Sequence, residues 1–143
     1  KMDRKTFLKL AGGSCLAIAG VPMLLTGCSS VHRVNTIARD NRLTVSKQEF
    51  IAGVEKPREV VLVRELSLAF PIALYRLSAD DYMALWMECT HQGCEVNAQP
   101  HYLVCPCHGS EFDANGNVVQ GPAEMNLKTF KVNTDHENIF IYL

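Results

Sequence analysis

Two short segments hold most of the residues that could bind a metal or carry electrons. The first, "CTHQGC", runs from Cys89 to Cys94, and the second, "CPCHGSEF", runs from Cys105 to Phe112. Together they contain four of the six cysteines and two of the five histidines in the chain. Thiolates and imidazoles are common protein ligands of zinc and iron. The two segments therefore predict one metal site built from both.

Two kinds of metal site fit this pattern. Four nitrogen and sulfur ligands could hold zinc tetrahedrally, but zinc pairs commonly follow Cys-x₂₋₄-Cys spacing. Here each pair joins a cysteine to a histidine: Cys89 with His91, and Cys105 with His108. A two-iron cluster explains this asymmetry better, because two thiolates can hold one iron and two imidazoles the other. Cys94 and Cys107 remain, one in each segment, where they could bridge the two.

The segments around these residues predict an all-β domain. From Arg42 onward, runs of four to eight residues rich in β-branched and aromatic side chains are separated by Pro, Asp, Asn or Gly. They are "EVVLVREL", "IALYRLS", "YMALWMEC", "HYLVC", "KTFKVNT" and "NIFIYL". The best helix candidate, "SKQEFIAGV", is short. Each cysteine–histidine segment follows a strand, and "HYLV" between them can return the chain, so both loops are expected at one end of a sheet.

Several other residues are predicted to have structural roles. Met83, Trp86 and Met87 are expected in the core, and residues 133–138, "NTDHEN", are expected to form a hairpin turn. His101 and His136 have no partner motif, so we interpret both as structural or solvated.

Composition limits the possible functions. The chain of 143 residues is 48% apolar and 20% charged, with a net charge of −1, which is typical of one globular domain. It has no basic stripe that could neutralise phosphates, so we expect no binding of nucleic acid.

The first 27 residues differ from the rest. A basic start, "KMDRKTFLKL", precedes the uncharged run Ala11–Gly27, as in an export signal or membrane anchor. "RKTFLK" resembles a twin-arginine signal, although Lys5 replaces the second arginine. "LTGC" resembles a lipobox, which predicts lipid modification of Cys28; a retained transmembrane anchor is the alternative. Without residues 1–27, which hold four basic residues and one acidic, the chain's 14 basic and 15 acidic residues become 10 and 14, a charge of −4.

The remaining chain divides into a tether and a domain. Residues 28–41 show no clear period and are predicted to be a tether, with His32 as a solvated linker histidine. Residues 42–143 are predicted to form the metal-binding domain.

The chain closely resembles the Rieske iron–sulfur proteins. "CTHQGC" matches the family's first box, "CPCHGS" matches its second, and "FDANGNVVQGPA", Phe112–Ala123, resembles the run that ends in the loop covering the cluster. The resemblance spans roughly Leu43–Leu143. It implies a Rieske fold of stacked antiparallel sheets, with a cluster-binding subdomain of two loops that carries a [2Fe–2S] cluster.

The resemblance also implies a role for each site residue. Cys89 and Cys105 would ligate the inner iron, and His91 and His108 the outer iron. Cys94 and Cys107 would form a disulfide between the loops. That disulfide is typical of exported, cytochrome bc-type members and absent from cytosolic oxygenase-type ferredoxins, and it agrees with an oxidising compartment.

Two further positions bear on the reduction potential, which for Rieske clusters lies at about −150 to +300 mV. Ser110 matches the serine that bonds a bridging sulfide in high-potential members. Phe112 stands where those members often have a tyrosine that donates to a ligand cysteine. Glu95, Glu111 and Asp113 would lower the potential if they lie close to the cluster; the alternative is a solvated rim.

The function implied is electron transfer at the periplasmic or outer face of a bacterial membrane. The chain would accept electrons from quinol at a cytochrome b-like subunit and pass them to a c-type cytochrome, in a respiratory or photosynthetic oxidoreductase complex. A second possibility is the Rieske small subunit of an exported molybdenum oxidoreductase such as arsenite oxidase. A Rieske oxygenase is excluded by the length available, because it needs a second domain with mononuclear iron. No catalytic residue is assigned.

Overall fold

A computed structural model describes residues 31–143. The predicted signal or anchor at residues 1–27 and the predicted lipid site at Cys28 lie outside these residues. Within residues 31–143, no helix has the length and apolarity needed to cross a bilayer.

The described part of the chain is almost entirely β-structure, as predicted. Its elements, in chain order, are β1 (His32–Asn35), β2 (Arg42–Ser46), a 3₁₀ helix (Lys47–Phe50), β3 (Val60–Arg64), β4 (Ile72–Arg76), β5 (Tyr82–Trp86), β6 (Asn97–Ala98), β7 (Tyr102–Val104), β8 (Glu111–Asp113), β9 (Val118–Gln120), β10 (Thr129–Thr134) and β11 (Asn138–Tyr142). The 3₁₀ helix is the short helix candidate of the sequence.

The strands form two sheets. The larger has the order β1-β3-β4-β5-β10-β11-β2, and the smaller has the order β6-β7-β8-β9. All pairings are antiparallel except that of β1 with β3. The smaller sheet carries the second cysteine–histidine segment between β7 and β8, and the first segment lies between β5 and β6.

Alternate residues of β4 belong to two different hydrophobic cores. Ile72 and Leu74 pack with residues of β2 and β11, inside the larger sheet. Ala73 and Tyr75 pack with Leu103 and the other residues beneath the smaller sheet. The residues of both faces are therefore buried, since the smaller sheet covers the face of β4 that would otherwise meet water. Burial of apolar side chains on both faces stabilises β4 between the two cores.

The predicted tether is wrong for residues 32–35. These residues form β1, which pairs with β3 in register from His32 opposite Val61 to Asn35 opposite Arg64. Val34 packs against the core, and the His32 ring lies 2.7 Å from the Glu49 carboxylate. A strand of four residues whose one apolar side chain is only partly buried carries too weak a period to be recognised. Its parallel partner is also distant along the chain.

The other structural expectations are largely met. Met87 is buried, while Met83 and Trp86 are partly buried and pack against the cores. The predicted hairpin turn joins β10 to β11, closed by a hydrogen bond from Asp135 N to Asn138 O of 3.0 Å. His101 is exposed, and its Nδ1 lies 2.7 Å from the Glu59 carboxylate.

Candidate metal centre

The two cysteine–histidine loops share one backbone frame. The amide of Cys89 donates to Cys94 O at 2.8 Å, and the amide of Cys105 donates to Ser110 O at 2.8 Å, five positions on in both cases. Four residues after each of these cysteines, a glycine amide donates back to the cysteine carbonyl, at 2.8 Å in the first loop and 3.0 Å in the second. The loops are therefore closed in the same way, by one hydrogen bond in each direction.

Glycine is required at the donor position of both frames. Gly93 has φ +71° and Gly109 has φ +76°, in the left-handed region that costs an L-residue with a side chain about 1–2 kcal/mol. The shared frame thus explains why both segments carry glycine four residues after the first cysteine.

The frame buries two free thiols side by side. Cys89 is 2% exposed and Cys105 is 1% exposed, and neither forms a disulfide. Burial raises the pKa of the Cys89 thiol, and the neighbouring Cys105 thiol raises it further, while backbone amides of the loop oppose the shift. Burial makes it costly for these thiols to lose their protons. A bound metal would offset this cost, because cysteine binds metals as the thiolate and the metal's positive charge stabilises that form.

The two histidines lie outside the thiols. His91 and His108 are both exposed, and their ring centroids are 5.1 Å apart with the planes at 86°. Each loop therefore contributes one buried sulfur and one exposed imidazole. Of the four residues that the sequence predicted as ligands, the structure places the two cysteines next to each other and the two histidines next to each other.

The predicted disulfide is present. Cys94 and Cys107 are bonded, with Cα atoms 6.6 Å apart, and so tie one loop to the other. Their sulfurs and the sulfur of Cys105 all lie within 4.8 Å of one another. Two of these three sulfurs are bonded to each other in the disulfide, so the three cysteines do not form a separate metal site. The short distances show instead that the disulfide lies next to the Cys105 thiol.

A third loop closes over the second. The amide of Ala123 donates to Ser110 Oγ at 3.0 Å, and Ser110 is fully buried. Thr90 Oγ1 donates to Met125 O at 2.6 Å, and Gln120 Nε2 donates to Gly109 O at 3.2 Å. Sequence reasoning missed Thr90, Gln120 and Met125 as residues that hold this loop. Thr90 could have been noticed as part of the first box.

The hydroxyl of Ser110 keeps a proton to donate. Its oxygen accepts from Ala123, and among the described residues no acceptor for its hydrogen is present. The hydroxyl is therefore left with a hydrogen that can donate to a further group.

The surroundings of the thiols are otherwise apolar or solvated. Phe112 is fully buried in the same core as both thiols. Glu95 lies 3.9 Å from Arg64 at the surface, and Asp113 accepts the amides of Asn115 and Asn117 in the turn after β8. These two acids have partners of their own, which favours the solvated rim over the alternative considered from sequence.

The donor set matches a two-iron cluster. Two buried thiols can supply thiolates to an inner iron, two exposed imidazoles can bind an outer iron, and the free hydroxyl can donate to a sulfide. An arrangement of this kind defines an electron-transfer iron–sulfur protein.

The comparisons give the family. The model of the Rieske [2Fe–2S] domain matches residues 42–131. The chain therefore belongs to the Rieske [2Fe–2S] domain family, and its cofactor is a Rieske-type [2Fe–2S] cluster. The strand β1 lies outside the matched residues.

Curated relatives include iron–sulfur subunits of cytochrome b6-f complexes. The chain is 49% identical over 55 residues to the subunit of Synechococcus sp. strain RCC307, a match that covers 37% of this chain and 31% of the relative. It is 46% identical over 55 residues to that of Synechococcus elongatus, with the same coverage. The match thus spans about a third of the length of these relatives.

Two solved structures are also similar to the chain. The plasma membrane Rieske protein PetC3 from Synechocystis PCC 6803 is 35% identical, with a TM-score of 0.49, covering 52% of this chain and 78% of that chain. A structure of oxygenase and ferredoxin in carbazole 1,9a-dioxygenase is 22% identical, with a TM-score of 0.55, covering 73% and 94%. The second likeness supports the fold alone.

Proposed function

We propose that this chain is a membrane-attached electron-transfer subunit that accepts electrons from quinol and passes them to a c-type cytochrome. The observation that carries the proposal is the division of the site: two thiols are buried and two imidazoles are exposed at one end of the domain. A partner can therefore approach the imidazole side without entering the core.

The ligand roles follow from this division. Cys89 and Cys105 would hold the inner iron, and His91 and His108 would hold the outer iron through one ring nitrogen each. The bound cluster supplies one-electron chemistry. The second nitrogen of each exposed ring is left to bond a quinol hydroxyl and to take up its proton, while the Cys94–Cys107 disulfide keeps the two loops at a fixed separation.

The relatives support the choice of partners. Their names describe subunits of the cytochrome b6-f complex. By analogy, the partners of this chain are a cytochrome b-like quinol-oxidising subunit and a c-type cytochrome acceptor. The relatives favour this role over that of a small subunit in a molybdenum oxidoreductase.

Location at the outer face of the membrane is part of the proposal. It is supported by the basic-then-apolar start of the sequence, by the lipobox-like segment before Cys28, and by the disulfide, since disulfides persist in oxidising compartments. Intact mass of membrane-extracted protein tests cleavage and lipidation directly.

Spectroscopy of ligand variants tests the site. The purified full chain should show a Rieske visible spectrum and an electron paramagnetic resonance signal on reduction. His108→Ala and Cys105→Ala should lose both, whereas His101→Ala, which removes an exposed histidine elsewhere, should keep them. A normal Rieske signal in either ligand variant would refute the assignment. Failure of a quinol to reduce the intact protein together with its membrane partners would refute the function.

A further inference from the structure

A groove with an excess of basic groups runs along β1. It consists of two adjoining cavities of about 590 and 300 Å³, and both are lined by Arg33, Leu62 and Glu95. The larger lies between β1 and β6, and the smaller lies along β1 and β3. The first cavity adds Arg58 and the second adds Arg64. We call this feature the β1–β6 groove.

The charge of the groove is opposite to that of the domain. Its two cavities are lined by three arginines and one glutamate. Residues 28–143 as a whole carry 10 basic and 14 acidic residues. A local excess of positive charge on an acidic domain favours an anionic ligand at this place.

The three arginines differ in how many hydrogen bonds and ion pairs their guanidinium groups already make. The guanidinium of Arg58 donates to Glu49 O at 2.8 Å and to Ala52 O at 3.0 Å, and so is held in place. Arg64 lies 3.9 Å from Glu95, a loose pair. Arg33 is exposed, and its guanidinium makes no hydrogen bond or ion pair with the other described residues. Arg33 is therefore the arginine with the most capacity for a phosphate oxygen.

The position of the groove indicates where the anion comes from. Val31, the first described residue, lines its first cavity. Val31 is only three positions after Cys28, a span of at most about 11 Å. If Cys28 or the segment before it is attached to the membrane, as proposed above, then the groove lies within reach of lipid head groups.

We infer that the β1–β6 groove binds the phosphate head group of an anionic phospholipid and lays this side of the domain on the membrane surface. Buried Leu62 and Val96 form an apolar floor for the glycerol part of the lipid. Glu95, which lines both cavities, directly follows disulfide-bonded Cys94, so the same contact keeps the metal-binding loops at the level of the head groups.

This inference rests on the proposed membrane attachment, and native mass spectrometry of the full chain in neutral detergent tests it. Phosphatidylglycerol should remain bound at concentrations where phosphatidylcholine does not. Arg33→Glu and the milder Arg33→Gln should weaken that binding, the former by roughly tenfold. Lys131→Glu makes the same charge change at an exposed site on β10 and should have no effect.

Three results would overturn it: equal retention of the two lipids, unchanged binding in Arg33→Glu, or displacement of the lipid by an equal concentration of glycerol phosphate. Binding of polyglutamate without binding of phosphatidylglycerol would assign the groove to a protein partner instead. The electron paramagnetic resonance signal of the same samples separates the two proposals. If the protein has an intact signal but binds no phosphatidylglycerol, only the lipid-binding inference is refuted. If it binds the lipid through Arg33 but is not reduced by quinol, only the proposed function is refuted.

Discussion

Gly93 and Gly109 occupy the same position in two loops that differ in sequence. Each lies four residues after a buried cysteine, has a positive φ, and donates its amide to that cysteine's carbonyl. The two halves of the site are therefore built on one backbone design. The second glycine is the better one to test, because a Cβ at Gly109 would meet no atom within 4 Å, whereas one at Gly93 would meet the Glu88 carboxylate at 3.4 Å.

Gly109→Ala should destabilise the loop through backbone strain alone. We expect a loss of about 1–2 kcal/mol in the free energy of unfolding and faster loss of the cluster, because the strain falls between Cys105 and Ser110. Gly53→Ala is a matched control, since Gly53 also has a positive φ and open space around it but lies far from the loops in sequence. The control should lose similar stability and keep its cluster. Equal cluster lifetimes in the two variants would show that the frame does not matter for binding.

Removal of the inter-loop disulfide should leave all four proposed ligands in the chain but loosen them. The Cys94→Ser, Cys107→Ser double variant is expected to lose about 2–5 kcal/mol of stability, because the unfolded chain is no longer cross-linked. Thermal denaturation and the decay of the visible spectrum measure the two effects. If the double variant holds its cluster for as long as the parent, the disulfide has no part in retaining it.

The residues beside the thiols should set the potential in opposite directions. Ser110→Ala removes the free hydroxyl donor and should lower the reduction potential. Phe112→Tyr adds a hydrogen-bond donor within the core that holds both thiols, and should raise the potential by some tens of millivolts. This shift corresponds to a fraction of the free energy of a hydrogen bond to a charged group, because only the difference between the two redox states counts. Voltammetry checks both, with Phe140→Tyr on β11 as a control that should leave the potential unchanged. An unchanged or lower potential in Phe112→Tyr would mean that the ring edge does not face a ligand sulfur.

The turn after β8 should make stability depend on pH. Burial raises the pKa of Asp113, but hydrogen bonds from Asn117 and Asn115 outweigh it and hold the pKa below its ordinary value. The carboxylate therefore stabilises the fold fully above the ordinary aspartate pKa, and this contribution is lost as the pH falls through the lowered value. At neutral pH, Asp113→Asn should cost about 1 kcal/mol, since the carboxylate is partly solvated. The difference in thermal midpoint between the parent protein and Asp113→Asn should become smaller as the pH falls towards about 3. A difference that stays constant with pH would show that the Asp113 carboxylate does not stabilise the turn.

Much of the site could be predicted from sequence because its chemistry is local. The ligand spacing, the two boxes and the inter-loop cysteines are all contained in segments of six to eight residues, where residue type alone limits the metal and the redox state. The strands around them also follow from their own composition, as in "EVVLVREL", which is rich in β-branched residues.

Other features were decided only by tertiary structure, because they depend on residues far apart in the chain. The sequence does not show that β4 is buried on both faces, since this requires the smaller sheet to pack on it, or that Asp113 and Glu95 already have partners. It also hides β1, whose four residues become a strand only by pairing with β3 some thirty positions later. The same pairing creates the β1–β6 groove, because it places Arg33 beside Arg64 and Glu95. The ligand residues lie within short segments and can therefore be recognised from sequence. The residues that pack against those segments depend on the burial of apolar surface across the whole domain.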